Sequence, residues 1–99
     1  MSVKLVVAPE AELDITEAYI WYERRRIGLG EEFLSSVDAC MEGIRRQPEM
    51  CPLVYETYRR SLIRRFPYAI FYEYAESTVT FYSVFHTSRD REKWRQRLP

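Results

Sequence analysis

From Tyr58 to His86 the chain reads YRRSLIRRFPYAIFYEYAESTVTFYSVFH, a stretch compatible with few structures. Polar and apolar side chains alternate along it, and β-branched and aromatic types crowd it, as in strands lying on a half-buried sheet. Two breaks divide the stretch. At Phe66-Pro67 the proline brings no N–H to a ladder and belongs at a strand's start or edge. Ala75-Glu76-Ser77 is a short polar link between Phe71–Tyr74 and Val79–Phe85. The pattern predicts three consecutive strands, 59–65, 68–75 and 78–86, paired as an antiparallel meander. By alternation Arg64 shares a strand face with Leu62, and Arg65 shares the other with Ile63.

The chain before this stretch is patterned to cover one face of such a sheet. Val3, Leu5 and Val7 alternate with Lys4 and Val6, which predicts a first strand that joins the sheet. Ala8-Pro9-Glu10 then opens a helix, because proline is tolerated in a first turn and Glu10, Glu12 and Asp14 suit the positive end of the helix dipole. Ala11, Ile15, Ala18 and Tyr22 put one apolar face on it, broadened by Tyr19 and Trp21. Glu23-Arg24-Arg25-Arg26 closes it with cations at the negative end. Ile27–Gly30 is a break, with Gly28 the left-handed residue after the helix. A second helix follows from Glu31 to Gln47, its face made of Phe33, Val37, Cys40 and Ile44 with Leu34 and Met41 beside them. Pro48 and Pro52 end it and begin a linker. Helices joined so closely pack antiparallel as a hairpin. Beyond His86, residues 87–90 read as a turn and 91–98 as a short basic helix. The expected architecture is one α+β domain over residues 1–99, with an N-terminal strand, an antiparallel helical hairpin, a three-stranded antiparallel meander and a short C-terminal helix. Both helices are expected on one face of the sheet, leaving the other face partly open and lined by arginines and tyrosines.

Composition narrows the function classes. Hydrophobic content of 46% with 30% charged residues is that of a water-soluble globular domain. No apolar run approaches the ~18 residues of a membrane span. The opening MSVKLVVAPEAELD has no signal-peptide apolar core, so a cytoplasmic location is expected. Cys40 and Cys51 have neither zinc-site spacing nor the number for a disulfide framework, and Cys40 falls on a helix's packing face. Charge is zero overall but uneven. Residues 1–51 hold six Lys/Arg against ten Asp/Glu, and residues 52–99 hold nine against five, giving −4 and +4. That division suits two solvated faces, or a basic sheet-and-tail surface meeting a nucleic acid or an acidic protein.

No phosphate-binding glycine loop, HExxH, CxxC pair or nucleophile elbow occurs. What remains is a loose set: Arg59, Arg60, Arg64, Arg65, Glu56, Glu73, Tyr72, Tyr82, His86, Arg89 and Arg91. Metal-free RNA cleavage needs a base for the 2′-hydroxyl, an acid for the leaving oxygen and a cation on the phosphate. Glu56 or Glu73, His86 and an arginine such as Arg64 have the chemistry for those roles. Against that stand plain readings. Carboxylates and arginines on sheets form ion pairs, a histidine at a strand end bonds a nearby loop, and Tyr72, Tyr74 and Tyr82 suit cross-strand packing.

Arg60–Tyr72, reading RSLIRRFPYAIFY, and Val84–Asp90, reading VFHTSRD and followed by Trp94, resemble the ParE branch of the RelE/ParE toxin superfamily. Pro9–Asp14 with Tyr19 is similar to the family's first helix, and Gly30–Phe33 to its second. The resemblance runs through nearly the whole chain and implies the same architecture. It implies the toxin half of a type II toxin–antitoxin module, a plasmid-stabilisation type of protein, held by a cognate antitoxin that wraps it with a helix and an extended segment. ParE-like members imply DNA gyrase as the target, inhibited by protein binding with no cofactor and no metal. RelE-like members imply ribosome-dependent mRNA cleavage through sheet lysines and arginines and a tyrosine, but this chain has no lysine between Lys4 and Lys93. Some ribonuclease relatives use a glutamate, an arginine and a histidine instead, and Glu56, Arg64 and His86 match that alternative. A third reading is a non-toxic relative that only binds its antitoxin. For the gyrase reading the expected binding residues are Arg60, Arg64, Arg65, Arg89, Arg91 and Trp94, since binding energy concentrates in arginine and aromatic anchors. A homodimer or a toxin–antitoxin hetero-oligomer is the expected assembly.

Overall fold

The computed structural model describes residues 2–90 and 93–97, the side chain of Trp94 excepted. Its elements run β1 (Lys4–Val7), α1 (Pro9–Arg25), α2 (Leu29–Arg46), β2 (Leu53–Tyr55), β3 (Tyr58–Leu62), β4 (Tyr68–Ala75), β5 (Thr78–His86) and α3 (Lys93–Arg97). The strands form one sheet in the order β1-β5-β4-β3-β2. Strands β2 to β5 are antiparallel neighbours, while β1 lies parallel to β5, with Leu5 opposite Val79. The sheet is therefore mixed and has five strands, where the pattern predicts a three-stranded antiparallel meander joined by the N-terminal strand. The additional antiparallel strand, β2, is three residues long and irregular against β3. No described helix is long and apolar enough to cross a membrane.

Both long helices pack on one sheet face. Ala18 and Tyr22 of α1 and Phe33, Val37 and Ile44 of α2 meet Tyr68, Ile70 and Tyr72 of β4 and Val79, Phe81 and Val84 of β5. Cys40 and Ile15, expected in the same layer, are half-buried at its margin. Cys40 spans to the sheet, its sulfur 3.3 Å from Ser61 Oγ, and burial pushes the thiol's pKa up. On the opposite face Ala69, Phe71 and Phe85 form a second, smaller cluster with Val54 against it. Arg97 lies over Phe85 and Arg95 over Tyr55. That face was expected to stay partly open, yet its central residues are buried.

Helix α2 begins two residues before the expected Glu31, and Glu23 accounts for it. The Glu23 carboxylate accepts the N–H groups of Gly28 at 3.0 Å and of Gly30 at 3.0 Å, capping α2 from the last turns of α1. Gly28 has φ +92°, the left-handed turn expected of it. Gly30 is buried against Tyr19, and a methyl there would stand 2.7 Å from two ring carbons and 2.9 Å from Glu23 Oε1. Gly30→Ala is therefore expected to cost about 1–3 kcal/mol by overpacking. A melting temperature equal to wild type would show that Tyr19 swings aside freely.

Strand β3 stops at Leu62 and does not reach the expected 65. Phe66 causes this, because its ring is buried at 4.9 Å from Tyr22 and 5.3 Å from Phe33, so the chain must turn inward to deliver it. Ile63 N–H still reaches Tyr68 O at 2.9 Å, and Arg65 takes a positive φ of 73°. Arg64 and Arg65 thus sit on a turn and do not alternate across a sheet. The β4–β5 link closes in two residues, Glu76 and Ser77, with φ 52° and 58°. Two left-handed residues match the right-handed twist of a tight hairpin.

Candidate functional site

Between the outer side of α2 and β3 runs a groove of ≈ 1000 Å³. Its floor is small or apolar: Ala39, Cys40, Gly43 and Ile44 from α2, Leu62 from β3 and Met50 from the linker. Met50 is 73% and Leu62 62% exposed, so this apolar surface faces solvent. Its rim is cationic. Arg46, Arg64 and Arg65 line it, as does Arg60, which is in register with Phe71 of the second-face cluster and also lines a small cavity there with Phe85, His86 and Asp90. The groove's single acid, Glu32, already holds Arg26 at 3.2 Å and Arg65 at 2.8 Å. Those two hydrogen bonds, Arg65 first, hold the Glu32 carboxyl below its usual pKa. Arg46, Arg60 and Arg64 make no ion pair among the described residues. The inward turn at Phe66 is what brings Arg64 and Arg65 to the rim. Arg59 is used otherwise, donating to the carbonyls of Glu49 at 3.0 Å and Cys51 at 2.6 Å and so pinning the linker that forms one wall.

The remaining site residues of the sequence reading are dispersed. Glu56 lies in the β2–β3 turn with φ 49°, close in register to the Tyr58–Glu73 pair. His86 pairs with Tyr68, five residues away along β4 and so roughly 17 Å distant. The fold therefore does not bring Glu56 to His86. Glu73 accepts from Thr57 Oγ1 at 2.6 Å and from Tyr82 OH at 3.3 Å, a local polar network at the same far end. Tyr72 is buried and donates to Pro48 O at 2.9 Å, and burial drives its pKa far up. Arg91 and the side chain of Trp94 lie outside the described residues.

The His86 ring organises the turn that follows it. Nδ1 accepts the backbone N–H groups of Ser88 at 3.2 Å and Arg89 at 3.1 Å, which sets Nε2 as the protonated nitrogen of the neutral ring. Asp90 Oδ2 accepts His86 N–H at 3.1 Å and closes the turn from the other side. Desolvation, helped by nearby Arg89, lowers the imidazole's pKa below 6.5. Folding thus favours the neutral ring, and its contribution to stability is present above 6.5 and lost as pH falls through the lowered value.

A second concavity, ≈ 660 Å³, lies on the other flank of the hairpin between α1, the end of β5 and α3. Arg89 is committed here, donating to Tyr68 OH at 2.7 Å with its guanidinium 5.7 Å from the Trp21 ring. It lines this cleft and not the α2–β3 groove that Arg60, Arg64 and Arg65 line. Asp14 anchors the depth of this cleft. One oxygen accepts Val84 N–H at 3.0 Å, on the part of β5 that β1 does not reach, and the other accepts from Arg97 at 2.7 Å. Burial raises the Asp14 pKa against the pull of Arg97 and of that N–H. No spacing in the sequence joins residues 14 and 97, so only the fold reveals this contact.

The family model of the ParE toxin of the type II toxin–antitoxin system, parDE, matches residues 5–91. No curated protein matches the chain in sequence. Among solved structures, a chain of the chromosomal ParDE toxin–antitoxin system of Pseudomonas aeruginosa is similar with a TM-score of 0.63 and 14% identity, covering 86% of this chain and 96% of the other. A chain of the RelBE2 toxin–antitoxin complex of Mycobacterium tuberculosis is similar with a TM-score of 0.61 and 14% identity, covering 87% and 99%. At such identities the likeness is one of fold.

Proposed function

The chain belongs to the ParE toxin family of type II toxin–antitoxin systems, and from that premise we propose that it is held by a cognate antitoxin docked in the α2–β3 groove and acts in the cytoplasm by binding DNA gyrase. The observation that carries the docking is the groove itself, an exposed apolar floor inside a rim of arginines with a single, already neutralised acid. An amphipathic segment with an apolar ridge and flanking carboxylates complements it in shape and charge.

Binding is favoured over RNA cleavage for two geometric reasons. Glu56 is at the opposite end of the sheet from His86, so the glutamate–arginine–histidine set is not assembled. The His86 ring is engaged through Nδ1 with two backbone N–H groups, which leaves only Nε2 to move a proton.

Expression of the chain alone should arrest growth, co-expression with the antitoxin should restore it, and the purified chain should inhibit supercoiling by purified gyrase. His86→Gln retains a polar acceptor and should leave the arrest largely intact, at a cost of about 1 kcal/mol for weaker turn hydrogen bonds. Loss of toxicity in a well-folded His86→Gln protein, with ribosome-dependent mRNA cleavage by the wild type, would replace this reading with the nuclease one.

A further inference from the structure

Helix α1 buries Ala11, Ala18 and Tyr22 and turns its opposite side to water. On that opposite side Leu13 and Ile20, seven residues apart, are 62% and 42% exposed, and Ile27, beyond the extended Arg26 that ends the helix, is 90% exposed. Glu17 and Arg24 alternate with them, giving the order Leu13, Glu17, Ile20, Arg24 along α1 at steps of four, three and four. Such spacing keeps one seam of side chains on one side of a helix. Neither charge is neutralised within α1. Glu17 has no base and Arg24 no acid three or four residues away, and the two stand about 10 Å apart along the axis. Neither makes an ion pair among the described residues.

This seam is self-complementary, and we propose that two copies of the chain associate through it as an antiparallel pair of α1 helices. A two-fold axis at Ile20 sets Ile20 against Ile20 of the second copy and Leu13 toward the C-terminal end of its α1, beyond which Ile27 is exposed. The same axis brings Glu17 to within one residue, about 1.5 Å of rise, of the level of Arg24 in the other copy, and repeats that pair symmetrically. The two charges left over in one chain are thereby neutralised by the other. The seam shares no residue with the α2–β3 groove, so the inference does not depend on the docking proposed above. A single helix pair buries less than the ~1,200 Å² of a standard interface, so the dissociation constant should be on the order of 10–100 µM.

Sedimentation analysis of the purified full chain tests this, at concentrations up to about 1 mM, well above that constant. Dimer should form with rising concentration and weaken in high salt. Ile20→Glu should remain monomeric. Glu17→Arg and Arg24→Glu should each weaken the dimer about tenfold, since each replaces two attractions by two repulsions. The charge-swapped double variant, Glu17→Arg with Arg24→Glu, should recover wild-type association. All these positions are exposed, so unchanged melting curves should accompany the changes in mass. A wild-type chain that stays monomeric throughout, an unaffected Ile20→Glu dimer, or a double variant no tighter than the singles would each overturn the proposal.

Discussion

Phe33→Ala should cost about 3–5 kcal/mol, a large share of the 5–15 kcal/mol that holds a domain of this size together. Phe33 is 0% exposed and joins both helices to the sheet. Its ring centroid lies 5.3 Å from each of Tyr22, Phe66 and Tyr68, in tilted and edge-on arrangements worth more than their buried area alone. Three large rings around one position cannot collapse into the space it leaves, so the cavity component of the cost should be near its upper range. Urea unfolding followed by tyrosine fluorescence should show the midpoint falling with an unchanged slope, the mark of lost stability in an otherwise native fold. Phe33→Leu keeps most of the volume and should cost less than half as much. A midpoint near wild type for Phe33→Ala would mean that α2 lies in a different phase on the sheet.

The phase of α2 was legible because burial imposes a period. Phe33, Val37 and Ile44 recur at helical spacing, Ala11 and Ala18 do so on α1, and all five are buried. The two long strands β4 and β5 were legible for the same reason, with residues alternating between helix-covered and second-face positions. What escaped the pattern was decided by single contacts. Alternation continues through Arg64 and Arg65, yet the chain leaves the sheet at Leu62 because Phe66 gains more by entering the aromatic cluster than a strand gains by two more residues. Leu53–Tyr55 is too short to show a period, and the two-residue turn Glu56-Thr57 that returns it to β3 has no glycine to announce it. The binding arginines were divided on similar grounds. Arg60, Arg64 and Arg65 meet along one groove, whereas Arg89 is drawn to Tyr68 and Trp21 across the hairpin. Composition cannot show such a division, since both groups read as the same basic half-chain. Gly43 and Ala39 carry no signal of this role in the sequence, because small residues beside an apolar helix face read as filler, although together they help form a groove floor.

Gly43 provides the most direct test of that groove, with an expected loss of about a hundredfold in antitoxin affinity for Gly43→Glu. A Cβ added at Gly43 meets nothing within 4 Å, so the substitution adds bulk to the groove with no clash at the root of the side chain. Glutamate also favours a helix interior over glycine by roughly half a kcal/mol or more, so the variant should melt at or above wild type. Stability and binding are then predicted to move in opposite directions, which no general loss of structure can imitate. The loss in affinity has two parts. The side chain occupies space an incoming apolar ridge needs, and its carboxylate lies among arginines that would otherwise meet the antitoxin's acids, weakening their pull. Gly43→Lys separates the two, because it adds similar bulk while extending the cationic rim, and should lose only about tenfold, with a steeper salt dependence. Titration calorimetry with the purified antitoxin reads both affinities. In cells, antitoxin levels that neutralise the wild-type chain should fail to neutralise Gly43→Glu, while its toxicity alone stays as before. Wild-type affinity for both Gly43 variants would place the antitoxin on another surface.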